Sequence, residues 1–190
     1  GMDHFEGIGE AAFYGPKLDF IVRDALEREW QLGTVQVDYT LPERFDLEYV
    51  AEDGSRQRPV MIHRAPFGSL ERLIGILIEQ YAGDFPLWLA PEQVRLLPVT
   101  AGHFDYADEA AAQMRLLGVR VEVDKSGERL GKMIRNSEKA KIPVMSVIGD
   151  KEVAAQSLRI RTRKQGDLGA IALPEVLDRL KTALSDRADF

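Results

Sequence analysis

Apolar and polar positions change their period partway along the chain. Between residues 13 and 65 the pattern is strand-like. Leu18, Phe20 and Val22 interleave with Asp19 and Ile21, and Trp30 to Tyr39 and Val60 to His63 form two further β-rich runs. Glu52-Asp53-Gly54-Ser55, between the last two, is a hairpin turn signal, so an antiparallel sheet is expected. From Gly68 to Ala82 the spacing becomes helical, with Leu70, Leu73, Ile74, Leu77 and Ile78 along one broad stripe that Gly83-Asp84-Phe85-Pro86 ends.

Beyond Leu87-Trp88-Leu89-Ala90-Pro91 strands and helices alternate. Val94 to Val99, Val119 to Val123, Pro143 to Ile148, Leu158 to Thr162 and Ala170 to Leu173 read as strands. Tyr106 to Leu117, Leu130 to Ala140 and Pro174 to Leu184 read as helices, the last with a proline near its start. This predicts an α+β segment followed by an α/β domain with a mixed, mostly parallel sheet flanked by helices, divided as residues 1–90 and 91–190.

Composition narrows the class. With 190 residues, 45% hydrophobic and 29% charged, the chain can bury a core and has room for two small domains. It has no cysteine, which removes disulfides and thiolate metal sites built from this chain alone, and no apolar run of membrane-spanning length. A cytoplasmic protein with no membrane partner is expected, and Gly1 before Met2 reads as a tag-removal scar. The net charge of −6 conceals an asymmetry: residues 1–90 carry 8 basic and 16 acidic side chains, residues 91–190 carry 17 and 15. A polyanion therefore suits the second half better.

Candidate chemistry lies in four places. Gly15-Pro16 fixes a bend from which Tyr14 and Lys17 project, a phenol and an ammonium able to hold an amino acid and neutralise phosphate charge; an ordinary turn has the same sequence. In Trp30-Gln31-Leu32-Gly33-Thr34-Val35-Gln36, strict alternation puts Gln31 and Gly33 on one face and Thr34 and Gln36 on the other, amides and a hydroxyl suited to reading a ribose or carbonyl, or simply to facing water. The strand Met61 to Ala65 runs through a Gly68 turn into a helix carrying Arg72. That layout suits nucleotide binding by Gly68, Ser69 and Arg72. Finally, Leu158-Arg159-Ile160-Arg161-Thr162-Arg163 predicts three guanidinium groups on one strand face, a phosphate and base platform or a charge-defended edge strand.

These segments together resemble the threonyl-tRNA synthetase family of class II aminoacyl-tRNA synthetases. Met61 to Leu77 is similar to the class's third signature motif. Gly9 to Lys17 is similar to the family's G-E-G-A-F-Y-G-P-K, with Ala11 in place of the middle glycine, and Trp30 to Gln36 to its W-Q-x-G-T-V-Q. Gly149-Asp150-Lys151-Glu152 and Arg161-Thr162-Arg163 are similar to its G-D-K-E and R-T-R. The resemblance runs from Gly9 to about Leu184.

It implies ATP- and Mg2+-dependent activation of threonine and transfer to tRNA(Thr). Lys17 and Arg72 would be catalytic, Tyr14, Gln31, Thr34, Gln36, Gly68, Ser69 and Arg72 would hold substrate and ATP, and Glu152, Arg161 and Arg163 would read the anticodon. His63 would be one of three Zn2+ ligands. The other two are expected upstream of this sequence, so zinc retention by this chain alone is not expected. The family's usual arginine and asparagine after Asp124-Lys125 are Ser126 and Gly127 here, which weakens the expectation of contacts there. The first and second class motifs have no candidate, so the chain alone is expected to be catalytically incomplete. A homodimer, or pairing with an upstream polypeptide half, is expected from open apolar patches. The alternative is a free-standing tRNA-binding or regulatory module.

Overall fold

The computed structural model describes residues 4–190; Gly1 and Met2, read above as a scar, lie outside the described residues. The chain divides into two compact units, the first ending at Gln80 and the second beginning at Tyr81.

The first unit is built on an antiparallel sheet in the order β1-β2-β5, from β1 (Lys17–Arg23), β2 (Glu29–Asp38) and β5 (Met61–Ala65). Between β2 and β5 come α1 (Thr40–Arg44) and a small hairpin of β3 (Tyr49–Val50) and β4 (Arg56–Gln57), whose turn is the expected Glu52 to Ser55. α1 has no counterpart in the sequence reading. Asp38 starts it, its Oδ1 accepting the free Thr40 and Leu41 amides at 2.8 and 3.0 Å. α2 (Leu70–Tyr81) follows β5 after the Gly68 turn. Among the described residues, Pro42 and Ile76 are the buried apolar side chains of this unit; Leu70, Ile74 and Ile78 of the α2 stripe remain about half or more exposed.

One irregularity reorders the sheet. Phe20 pairs with Gly33, but Ile21 pairs with Gln31, so Leu32 is an extra residue in β2. This bulge turns Gln31 to the face that carries Thr34 and Gln36, against the strict alternation expected from the sequence. Gly33 is required beside it because a Cβ there would come within 2.9 Å of the Pro66 carbonyl oxygen and 3.1 Å of the Phe20 ring.

The second unit has the sheet order β10-β9-β8-β6-β7. Its elements in chain order are β6 (Val94–Pro98), α3 (Phe104–Leu116), β7 (Val121–Val123), α4 (Leu130–Lys139), β8 (Val144–Ile148), α5 (Asp150–Ala154), β9 (Ser157–Thr162), β10 (Gly166–Ala172) and α6 (Leu173–Asp186). β6 is parallel to β7 and β8, while β9 is antiparallel to both of its neighbours. Four strands thus point one way, and the mixed, mostly parallel sheet expected from the sequence is present.

Strand alternation sorts its two faces. Val94, Leu96, Val144, Ile148, Leu158 and Ile160 pack with Ala107, Ala110, Ala111 and Met114 of α3 and with Val176, Leu180 and Ala183 of α6. The alanines let α3 lie close on the sheet. On the opposite face Leu97 and Met145 pack with Met133 of α4. Among the described residues no helix is long and apolar enough to cross a membrane.

Candidate functional sites

In the first unit the antiparallel register sets side chains in rows across the strands. Lys17 lies opposite Gln36, and Gln36 opposite His63; one step along, Asp19 lies opposite Thr34. Directly paired residues project to the same face, so Lys17, Gln36, His63, Asp19 and Thr34 share one surface, which the bulge extends to Gln31. Tyr14 joins them from the preceding turn by donating its hydroxyl to Gln36 Oε1 at 3.4 Å. Gln36 Nε2 is buried and has no partner among the described residues, an amide donor left for a ligand oxygen.

Two carboxylates that the sequence reading did not single out tie this surface together. Asp19 accepts from Lys17 Nζ at 2.5 Å, Thr34 Oγ1 at 2.7 Å and Gln31 Nε2 at 2.8 Å. The Lys17 bond foremost holds the Asp19 carboxyl below its usual range, and the same bond raises the Lys17 ammonium. Asp38, buried, places Oδ2 2.8 Å from His63 Nε2. Burial pushes the Asp38 carboxyl up, but the His63 bond and the Leu41 and Thr40 amides outweigh it and leave it lowered. The charge pattern Lys17-x-Asp19 on one strand face was a readable signal for the first; Asp-x-Thr before a short helix was one for the second.

Arg72 approaches the edge of β2 from the first turn of α2, on the side of Trp30, whose pairing with Val22 turns its ring to the face opposite Gln31 and Thr34. Its guanidinium donates to the Gln31 carbonyl at 3.1 Å and lies 5.8 Å from the centre of the Trp30 ring. Trp30 is anchored by its indole N–H on buried Asp24 at 2.8 Å. Ser69 accepts the Arg72 amide at 3.2 Å and so starts the helix, and Gly68, at φ +62°, sits where a Cβ would approach the Leu32 carbonyl oxygen to 2.9 Å. Gly68 and Ser69 therefore set the turn that aims Arg72.

His63 was the one candidate metal ligand. Among the described residues no group of three or more His, Cys, Asp or Glu side chains is arranged to hold a metal ion. The Asp38 bond occupies Nε2 and leaves Nδ1 open, but a single imidazole does not by itself make a zinc centre.

In the second unit Arg159 and Arg161 project to the α4 face of β9, and a groove of about 350 Å³ opens beside them. Val99, Leu130, Ile134 and Val147 give it apolar walls, and Glu152, Arg159, Arg161 and Asp167 give it charge. Asp167 holds Arg159 at 2.7 Å, and Glu138 lies 3.5 Å from Arg161. Glu152 spends Oε2 on the Gly149 amide at 3.0 Å and has Oε1 to offer a ligand. His103, buried, braces the start of α5 through Asp150 at 2.9 Å.

The expected three-arginine face is corrected at its last member. β9 ends at Thr162, and Arg163 turns away to donate to the carbonyls of Lys141 at 2.7 Å, Phe85 at 3.0 Å and Asp84 at 3.3 Å. Its Nε lies 2.5 Å from Asp84 Oδ1, an ion pair without hydrogen-bond alignment. Arg163 staples loops, leaving two arginines on the groove. The departing residues Ser126 and Gly127 form a turn before α4, closed by Ser126 N–H on Asp124 at 3.0 Å.

Comparison with known proteins follows the same division. Residues 3–81 match the family described as tRNA synthetase class II core domain (G, H, P, S and T), and residues 93–183 match the anticodon binding domain. The chain is 72% identical over 187 residues to the threonine–tRNA ligase of Synechococcus elongatus, covering 98% of this chain and 31% of that protein. It thus spans about a third of the length of such curated relatives. Among solved structures it is similar to the RNA binding domain of threonyl-tRNA synthetase from Cryptosporidium parvum, at 34% identity and TM-score 0.81 over 92% of this chain and 44% of that one. A putative threonyl-tRNA synthetase from Aeropyrum pernix aligns at 35% identity and TM-score 0.59, covering 95% of this chain and 45% of that one.

Proposed function

Because the chain belongs to the threonine–tRNA ligase family of class II synthetases, matching the C-terminal part of its relatives, we propose that it carries part of a threonine-activating site and the anticodon-reading domain of such a ligase. In that reaction the threonine carboxylate attacks the ATP α-phosphorus and pyrophosphate leaves, and a terminal ribose hydroxyl of tRNA(Thr) then displaces AMP from the adenylate; Mg2+ would enter as the counter-ion of ATP.

The observation that carries this reading is the convergence of Tyr14, Lys17, Gln31, Thr34, Gln36 and His63 on one sheet surface, with Arg72 at the sheet edge beside the Gln31 carbonyl. Lys17 and Arg72 are catalytic in it: they offer permanent positive charge to phosphate oxygens whose charge shifts as pyrophosphate departs. Gln31, Thr34, Gln36 and the Tyr14 phenol supply neutral donors and acceptors for the amino acid and ribose. Gly68 and Ser69 hold the turn under the nucleotide.

In the second unit Glu152 and Arg161 suit the Watson–Crick edges of unstacked anticodon bases, a carboxylate for an amino group and a guanidinium for a carbonyl or phosphate. The partners are therefore threonine, ATP and tRNA(Thr), and the site of action is the cytoplasm. The domain division near residue 90 belongs to the same reading. The half-exposed stripe of Leu70, Ile74 and Ile78 supports a further protein contact of the first unit, a homodimer or a separate polypeptide, which sedimentation of the chain at rising concentration tests.

The test is binding by the 190-residue chain. A non-hydrolysable threonyl-adenylate analogue should shift the side-chain amide NMR signals of Gln31 and Gln36, and the valyl analogue should do so more weakly. A threonine tRNA transcript should bind in a filter assay with strong salt dependence. Loss of the first result with the second retained favours a tRNA-binding module over a ligase; loss of both removes the proposal.

A further inference from the structure

We propose that Asp19 is the positioning residue of the first unit's site, fixing which atoms of Lys17, Gln31 and Thr34 face the substrate. The inference rests on the reading above and deepens it, because Asp19 belongs to none of the motifs that led there.

Thr34 has a single hydroxyl proton and gives it to Asp19 Oδ1 at 2.7 Å. The Gln31 amide has two protons; one goes to Asp19 Oδ1 at 2.8 Å and the other to Thr34 Oγ1 at 3.0 Å. Gln31 is therefore locked with Oε1 as its presented atom, an acceptor for an ammonium or a hydroxyl. Lys17 commits one N–H to Asp19 Oδ2 at 2.5 Å and keeps two for a ligand. Glu10 is the other acid whose field reaches Lys17.

The bulge at Leu32 gives this cluster its geometry. In a regular strand Gln31 lies on the opposite face, out of reach of Asp19; the extra residue brings it round. Three of the four acceptor sites of the Asp19 carboxylate are taken by donors from the site itself, so it acts through them. It also offsets the Lys17 charge, so that the ammonium neither swings freely nor draws a stray anion.

Asp19→Asn tests this, because Asn keeps the shape and turns one acceptor into a donor. Opposed donors would then force the Gln31 amide to flip and release Lys17. In the 190-residue chain, with folding checked by circular dichroism, the Lys17 13Cε titration midpoint should fall. Affinity for the threonyl-adenylate analogue should weaken on the order of tenfold to a hundredfold.

An unchanged Lys17 midpoint overturns the proposal, as does a fallen midpoint with analogue affinity intact. Should the wild-type chain not bind the analogue, the functional reading fails while the titration still decides whether Asp19 holds Lys17. Should Asp19→Asn not fold, Lys17→Met replaces it: the Asp19 13Cγ midpoint rises if the pair exists, and a constant midpoint overturns it.

Discussion

Asp38 Oδ2 lies 2.8 Å from His63 Nε2, while Oδ1 of the same carboxylate accepts the Thr40 and Leu41 amides. One buried carboxylate thus orients a site imidazole on β5 and starts the helix that follows β2. Site geometry and local fold share this group, so neither can be altered alone.

Acid should weaken the first unit. Asp19, Asp24 and Asp38 all have carboxyls lowered from the ordinary 3.8. A lowered folded value means that the stabilisation is fully present above the ordinary value and is lost as pH falls through the folded one. Trp30 fluorescence, recorded in a Trp88→Phe background, should therefore give a melting temperature that is flat above about pH 5 and drops below about pH 4. Asp38→Asn should lower the plateau and reduce the drop.

Gly33→Ala should destabilise the first unit by about 1–3 kcal/mol, since the new methyl meets backbone oxygen and a ring edge in a tight bulge. Chemical denaturation followed at Trp30 measures it. Gln31 should at the same time lose its contact with Asp19, seen as a changed side-chain amide shift.

Arg161 and Arg163, two residues apart, should behave oppositely. Arg163→Ala removes a guanidinium shared among three carbonyls and Asp84, and should cost the second unit about 1.5–3 kcal/mol. Arg161→Ala touches an exposed, long ion pair and should alter stability by less than about 0.5 kcal/mol. Only Arg161→Ala should weaken threonine tRNA binding and reduce its salt slope by about 1.

Core truncations should separate the units. Leu180→Ala opens a cavity among α3, α6 and the sheet and should cost about 2–5 kcal/mol. Ile74→Ala removes a side chain already 53% exposed and should change chemical denaturation by less than about 0.5 kcal/mol.

Much of this protein was determined by its sequence. Alternation in Leu158 to Arg161 placed two arginines on one face and two apolar side chains in the core. Helical spacing from Leu70 to Ile78 and the turn at Glu52 to Ser55 were equally legible. These are local periodicities, set by backbone geometry within a few residues, and the motif residues stood at fixed places in them. What only the tertiary structure decided involves partners distant in sequence. The bulge at Leu32 depends on how β2 meets β1 and turns Gln31 to the opposite face. Arg163 leaves its strand because carbonyls near residues 84 and 141 are there to receive it. Asp19 and Asp38 became hubs only when strand pairing brought Gln31, Thr34 and His63 within reach, since hydrogen bonds need distances that sequence spacing does not state.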